Sequence, residues 1–409
     1  MKKLSLHQKL RLMHSARREL GKKTRADKGK EYGETHSDAF LSNPRHPHEV
    51  EAWAGNESET VISETLPFIP PRRLCFVENW NETLDLLSDV QKVSAYPNIS
   101  NTNSRPRSWY KRNRTSKGLR RIKSYFDFAK IEFISTAVAL AFTAEYDIAK
   151  THAATPPPTI NLNDWHPEVL LTLAQMGFFE TLGIIPETAK IVDLSKEKRV
   201  LKIVKGTSGD QLQNIAKAIS ELVEFWDEGE LDRKMRINLN TAIGEAMINV
   251  AKWAYDEPRG LYDDRLRCFW ITGSVDKRTN ELVVVIFDRG VGIPETYQRK
   301  KLHQNLLKQL SAALKPTEGF EFVNDATYIK NALKYGNSRS DQPERGKGLP
   351  QMQEIIEKTK SGSLTIASRG GLYRYDTISG VTEKVAKRSV NGTLIEWRIS
   401  LPEVTKNAE

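Results

Sequence analysis

Residues 281–295, ELVVVIFDRGVGIPE, decide how this chain is read. Residues 282–287 are an unbroken apolar run of strand length, rich in β-branched side chains, and so specify a buried strand. Asp288 ends the run, and Gly290 and Gly292 follow it. A strand that delivers a carboxylate to a turn with two residues lacking Cβ lets backbone approach a ligand closely.

Upstream, residues 241–255, TAIGEAMINVAKWAY, read as one helix whose buried stripe is Ala242, Ile243, Ala246, Met247, Val250, Ala251 and Ala254. At 100° per residue Glu245 and Asn249 fall about 40° apart on the border of that stripe, with Lys252 beside them. Taken alone, such a pair is a solvated flank. Downstream, residues 335–358, YGNSRSDQPERGKGLPQMQEIIEK, form a polar, glycine-punctuated loop running into a helix at Leu349. Gly346 and Gly348 would turn that helix's free N–H groups toward an anion. Last comes NGTLIEWRISLP, 391–402, a strand with Gly392 and Thr393 at its start. A carboxylate with an amide, a carboxylate with glycines, and glycines opening a helix together describe a nucleotide site. A Walker A loop is excluded because Lys347 is followed by Gly348 and not by Ser or Thr. A dinucleotide fingerprint is excluded because the region of its third glycine holds Ile293, Pro294 and Glu295.

The order of these segments resembles the GHKL ATPases, the superfamily of gyrase, the ninety-kilodalton heat-shock chaperone, histidine kinases and mismatch-repair ATPases. ExxxNVAKWA looks like the N box, DRGVGIP the G1 box, RGKGLPQM the G2 box and NGT a later glycine-threonine element, over residues 205–402. The resemblance implies ATP and Mg²⁺ as ligands. Glu245 would orient or deprotonate the attacking water, Asn249 would coordinate Mg²⁺, and Lys252 would reach a phosphate. Asp288 would accept the adenine amino hydrogen, with Gly290 and Gly292 shaping the base pocket and Thr393 supporting the contact. Gly346, Lys347, Gly348 and Leu349 would cradle the phosphates, under a cationic lid containing Arg339, Arg345 and Lys347, and ATP would order the lid stretch 295–345. These roles make physical sense: Mg²⁺ takes few protein oxygens and keeps its waters, and phosphoryl transfer is mostly positioning and charge neutralisation.

Departures from the family bear on the reaction. None of the eight histidines has a phospho-acceptor context: His14 precedes Ser15, and His46 and His48 lie among prolines. Histidine kinase activity is therefore disfavoured. The chain ends at Glu409, so on this reading hydrolysis is slow or a partner completes the site, and Pro350 stands where the G2 box has a further glycine.

The net charge of +10 is unevenly spread. Residues 1–30 carry +9 and residues 105–123, RPRSWYKRNRTSKGLRRIK, another +9, so subtracting both from +10 leaves −8 elsewhere. Such segments can pair with nucleic-acid phosphates, and Trp109 with Tyr110 can add stacking; otherwise they are a solvated tail and loop. The N-terminus has no apolar h-region and no apolar run approaches the roughly 20 residues of a membrane span, so the expectation is a cytoplasmic protein without membrane contact. Cys75 and Cys268 alone argue no disulfide framework.

Residues 1–65 read as a flexible polar and basic arm, and 66–190 as a small α/β unit with a basic loop at 94–123. Within that unit IEFISTAVALAFTAEYD, a strand, and VLLTLAQMGFFETLGI resemble a STAS-type domain, in which Ser135 or Thr136 would match the regulatory hydroxyl; without the resemblance Ser135 is a helix N-cap. The expected fold class is α+β: a C-terminal two-layer α/β sandwich of the Bergerat ATP-binding type over 200–402, preceded by the STAS-like domain and the arm. Three functions follow from these readings: an ATP-dependent conformational switch for a protein partner, an anti-sigma-type serine/threonine kinase acting on a STAS-like target, and an ATP-gated nucleic-acid-binding factor of bacterial defence or repair. A homodimer would use residues 1–30 as a swapped arm.

Overall fold

The structure, a computed structural model, describes residues 45–54, 57–94, 111, 113–122, 125–152, 159–184, 194–207, 211–227, 233–255, 267–299, 321–335, 348–359 and 361–400. The basic segment 1–30, residues 105–110, Arg339, Arg345, Gly346 and Lys347 lie outside them.

Residues 45–65, expected to belong to the arm, instead form β1 (Arg45–Ala54) and β2 (Glu57–Thr65). A strand buries only alternate side chains, and here Val50, Ala52 and Val61 suffice to meet Ile122, Tyr125 and Ile160 in a small core. That thin apolar content is why no period marked these strands. Next come β3 (Arg73–Leu74) and α1 (Trp80–Ser94), which begins where the Asn79 carbonyl accepts the Thr83 amide (3.0 Å). Then follow β4 (Arg121–Ile122), β5 (Phe133–Ile134), α2 (Thr136–His152) and β6 (Thr159–Ile160). The first sheet has the order β4-β2-β1-β6, and β3 pairs with β5 in parallel. Basic residues of the 94–123 loop lie on β2: Arg120 pairs with Glu59 (2.7 Å), Arg121 with Glu64 (2.6 Å), and Lys111 also with Glu64. Residues 167–182 form two helices, α3 (Pro167–Met176) and α4 (Phe178–Leu182), because Gly177 (φ 91°) and Gly183 (φ 71°) each take the left-handed C-cap conformation.

The remaining elements are β7 (Lys198–Val200), β8 (Val204–Gly206), α5 (Leu212–Asp227), α6 (Arg233–Asn249), β9 (Phe269–Asp276), β10 (Glu281–Asp288), α7 (Ile293–Arg299), α8 (Asp325–Tyr335), α9 (Gly348–Thr359), β11 (Ser363–Ser368), β12 (Gly371–Asp376), β13 (Gly380–Val385) and β14 (Thr393–Ser400). Eight of the strands make one antiparallel sheet ordered β13-β12-β11-β14-β10-β9-β7, with β8 also paired to β9. Strand β10 is hydrogen-bonded along its whole length to β9 and to β14, which places Asp288 opposite Thr393 and Phe269.

Both faces of this sheet are covered. Leu282, Val284 and Ile286 pack with Ile215, Ile243, Met247 and Ile355 of α5, α6 and α9. Val283, Val285 and Phe287 pack with the apolar residues of α1 to α4, among them Leu87, Val138, Phe142 and Leu171. That double burial is the reason the β10 run lacks alternation. Helices α1 to α4 thus share a core with this sheet, and residues 46–409 form one compact unit. The α+β class holds. None of the described helices is long and apolar enough to cross a membrane.

Candidate functional site

Asp288 is buried at the end of β10, and its Oδ1 accepts the Gly290 amide hydrogen (2.7 Å). Burial lifts its carboxyl to about 7, against the opposing pull of the Gly290 and Thr393 amides and the Arg289 charge. The glycines are there because there is no room for anything larger. A Cβ on Gly290 would lie 2.3 Å from the Ala254 carbonyl oxygen, and one on Gly392 (φ 156°) would lie 1.8 Å from the Asp288 carbonyl oxygen. Gly292 takes φ 88°, with Ser368 and Arg369 close behind it.

Ser368, at the buried end of β11, ties this turn together, and the sequence reading missed it. Its Oγ accepts the Ile293 amide (2.9 Å), donates to the Gly392 carbonyl (3.1 Å) and lies 2.9 Å from Thr393 Oγ1. One hydroxyl thus joins the start of α7 to the residues before and at Thr393. The only local signal was the Gly370–Gly371 pair just after it, which marks a turn. Arg369 (φ 52°) follows and binds Glu295 (2.7 Å), Glu321 (2.7 Å) and Asp325 (3.6 Å), with its guanidinium over Phe322. Burial raises the Asp325 carboxyl to about 6, opposed by Arg369. These bonds fasten α7 and α8 to the sheet, and α8 falls within the lid expected over 295–345. The reason is tertiary: Arg369 and Asp325 lie far apart in sequence.

Helix α6 brings Asn249 to its last α-helical position, and a π-helical turn, Val250–Ala254, follows. The wider turn moves Ala251 off the predicted stripe and leaves it exposed, while Ala242, Ile243, Ala246, Met247, Val250 and Ala254 are buried as expected. The π-turn reaches the Asp288 turn directly, through the Val291 amide donating to the Ala254 carbonyl (2.8 Å). Tyr255 adds a brace: its hydroxyl donates to the Cys268 carbonyl (2.7 Å) and accepts the Arg289 amide (3.1 Å). The π-turn that follows the predicted helix edge and the predicted glycine turn are therefore neighbours through their backbone. Glu245 is half-buried, Lys252 is exposed, and Asn249 Nδ2 is buried with no hydrogen-bond partner. Helix α9 starts at Gly348, with Leu349 half-buried against the same core as α6, and Trp397 Nε1 donates to the Met352 carbonyl (3.0 Å) to hold it over β14.

Ser135 and Thr136 are elsewhere. Both are buried where α2 meets the sheet: Ser135 Oγ accepts the Val138 amide (3.4 Å) as an N-cap, and Thr136 Oγ1 lies 2.7 Å from Ser274 Oγ of β9. Ser135 thus serves as a helix N-cap, and Thr136 joins α2 to β9.

The unpartnered atom of Asn249 is its Nδ2, a donor that calls for an acceptor such as a phosphate oxygen, and the Oδ1 of the same amide is the atom that would hold Mg²⁺. Mg²⁺ would supply charge neutralisation there. Among the described residues no cluster of three or more acidic, His or Cys side chains could hold a metal without phosphates. Compared with family models and with curated proteins, the chain matches none.

Proposed function

We propose that the chain binds Mg–ATP at the end of β10 and acts as a nucleotide-dependent conformational switch for a protein partner. The observation that carries this reading is Asp288: a buried carboxyl at a strand end, with one oxygen held by a neighbouring amide and with glycines where the surrounding backbone packs too closely for a side chain. A carboxylate so placed recognises an amino group in the plane of a base, and the glycines let the turn backbone pack tightly beside it. Asn249 and the start of α9 supply the phosphate end, as in the GHKL ATPases that the motifs resemble. Glu245 is within the same helix edge and is the residue to orient water.

Titration calorimetry with ATP, ADP and GTP in Mg²⁺ tests the reading. Adenine nucleotides are expected to bind in preference to GTP, and Asp288→Ala to lose binding. Unchanged binding by Asp288→Ala would overturn the site assignment. With γ-labelled ATP, free phosphate that vanishes in Glu245→Ala supports a switch with turnover. Label retained on the protein would instead mean a kinase, whose acceptor must be sought outside the buried Ser135 and Thr136.

A further inference from the structure

Gln91 of α1 and Glu145 of α2 belong to no nucleotide motif and sit in the opposite helical layer, yet they touch residues on both sides of the Asp288 and Thr393 pair. Glu145 is 1% exposed. Its Oε1 accepts a hydrogen bond from Gln91 Nε2 (3.0 Å) and lies 2.9 Å from Arg289 Nη1, in an ion pair without hydrogen-bond alignment. Gln91 Nε2 also donates to the Val390 carbonyl (3.1 Å), and Gln91 Oε1 accepts from Asn391 Nδ2. Arg289 directly follows Asp288, and Asn391 directly precedes Gly392 and Thr393. The Arg289 backbone amide is at the same time bonded to Tyr255 in the inner layer. One residue therefore spans the end of the sheet, with its backbone held on one side and its side chain on the other.

We infer that Glu145 and Gln91 are positioning residues for the nucleotide site: they hold the end of β10 and the approach to β14 at the spacing a base needs, and so make the N-terminal helical layer the part that registers nucleotide. The inference rests on the reading under Proposed function. Its physical basis is that a buried carboxylate needs a cation beside it, so the position of Arg289 and the charge of Glu145 are not independent. A ligand that fixes the Asp288 turn also fixes Arg289, and the α1–α2 layer gains or loses the Glu145 contact with it. Coupling of this kind is reciprocal: whatever a partner does to α1 and α2 must change nucleotide affinity by the same factor.

The test is Mg–ATP affinity by calorimetry at a temperature where every variant is folded. Glu145→Gln and Gln91→Ala are expected to weaken binding by about tenfold, within the usual range for coupled sites. The control is Asp147→Asn on the same helix, whose carboxylate bonds Lys205 Nζ (2.8 Å) and Trp270 Nε1 (3.0 Å), an interlayer contact to β8 and β9. Its affinity is expected to stay within about twofold of wild type, which separates positioning from general loosening of the layers. Amide exchange adds a readout on the wild-type protein: Mg–ATP is expected to slow exchange across 80–94 and 136–152, and Glu145→Gln to abolish that response. A wild-type chain that binds no nucleotide overturns the proposed function and this inference together. A wild type that binds ATP, with Glu145→Gln and Gln91→Ala binding equally well or α1 and α2 unresponsive, overturns the inference alone. Failure of Glu145→Gln to fold leaves Gln91→Ala and the wild-type exchange pattern to decide.

Discussion

Asp288→Asn separates the cost of the buried carboxyl from its use. The folded carboxyl sits at about 7 against an ordinary 3.8, so the charged form is disfavoured in the fold by about 3 units, on the order of 4 kcal/mol at the limit. The sign follows from linkage. A carboxyl raised on folding leaves stability intact below about 3.8 and erodes it as pH rises, until the loss levels off above about 7. Between pH 5 and pH 8 wild type should lose roughly 2–3 kcal/mol from this group alone. Asparagine keeps an oxygen to accept the Gly290 amide and does not titrate. Urea unfolding at pH 5 and pH 8 checks it: the stability of Asp288→Asn relative to wild type should rise by roughly 2–3 kcal/mol from the lower pH to the higher. Comparing the two pH values removes the fixed effect of the new amide, whose NH₂ costs about 1–3 kcal/mol wherever it lacks a partner. The variant should also lose adenine nucleotide binding, since an NH₂ opposes the base amino group. A relative stability that does not move with pH would refute the claim that Asp288 is buried and ionising near neutrality; a pH-dependent gain with ATP binding intact would refute its role in the site.

Other outcomes follow from the same geometry. Adenosine, which carries no phosphate to titrate near neutrality, should bind most tightly above pH 7 and lose about tenfold per unit below it, because only the ionised Asp288 accepts two hydrogen bonds; a pH-independent constant from calorimetry would contradict this. Asn249→Ala removes a buried amide end that has no partner, so melting should show the protein unchanged or stabilised by about 1 kcal/mol, while Mg²⁺-dependent tightening of ATP binding is lost. Gly392→Ala drives a methyl to 1.8 Å from the Asp288 carbonyl oxygen, and chemical unfolding should register a loss of at least about 2 kcal/mol; a neutral result would mean that β10 and β14 are farther apart. Thr136→Val strands the Ser274 hydroxyl it faces, at a cost of about 1–3 kcal/mol in urea unfolding with no change in nucleotide affinity.

The sequence by itself determined the strand at 282–288, its carboxylate terminus, the glycine turn, the α6 stripe and the start of β14, because each is specified by neighbours within a few residues. It marked Gly177 and Gly183 as alternative ends of one helix, and the structure uses both, since a left-handed cap is a local property. Tertiary structure alone decided the rest. Whether a strand of continuous apolar residues is covered once or twice is not written in that strand, and the packing of the N-terminal helices on Val283, Val285 and Phe287 is what covers it a second time. Strands β1 and β2 escaped notice because half-buried strands with small side chains carry little hydrophobic signal. Ser368, Gln91, Glu145 and Arg369 gained their roles from partners remote in sequence, and no spacing rule reaches so far. Burial works the same way: the acidity of Asp288 is set by its burial at the end of β10, and a lone aspartate in a sequence gives no sign of it.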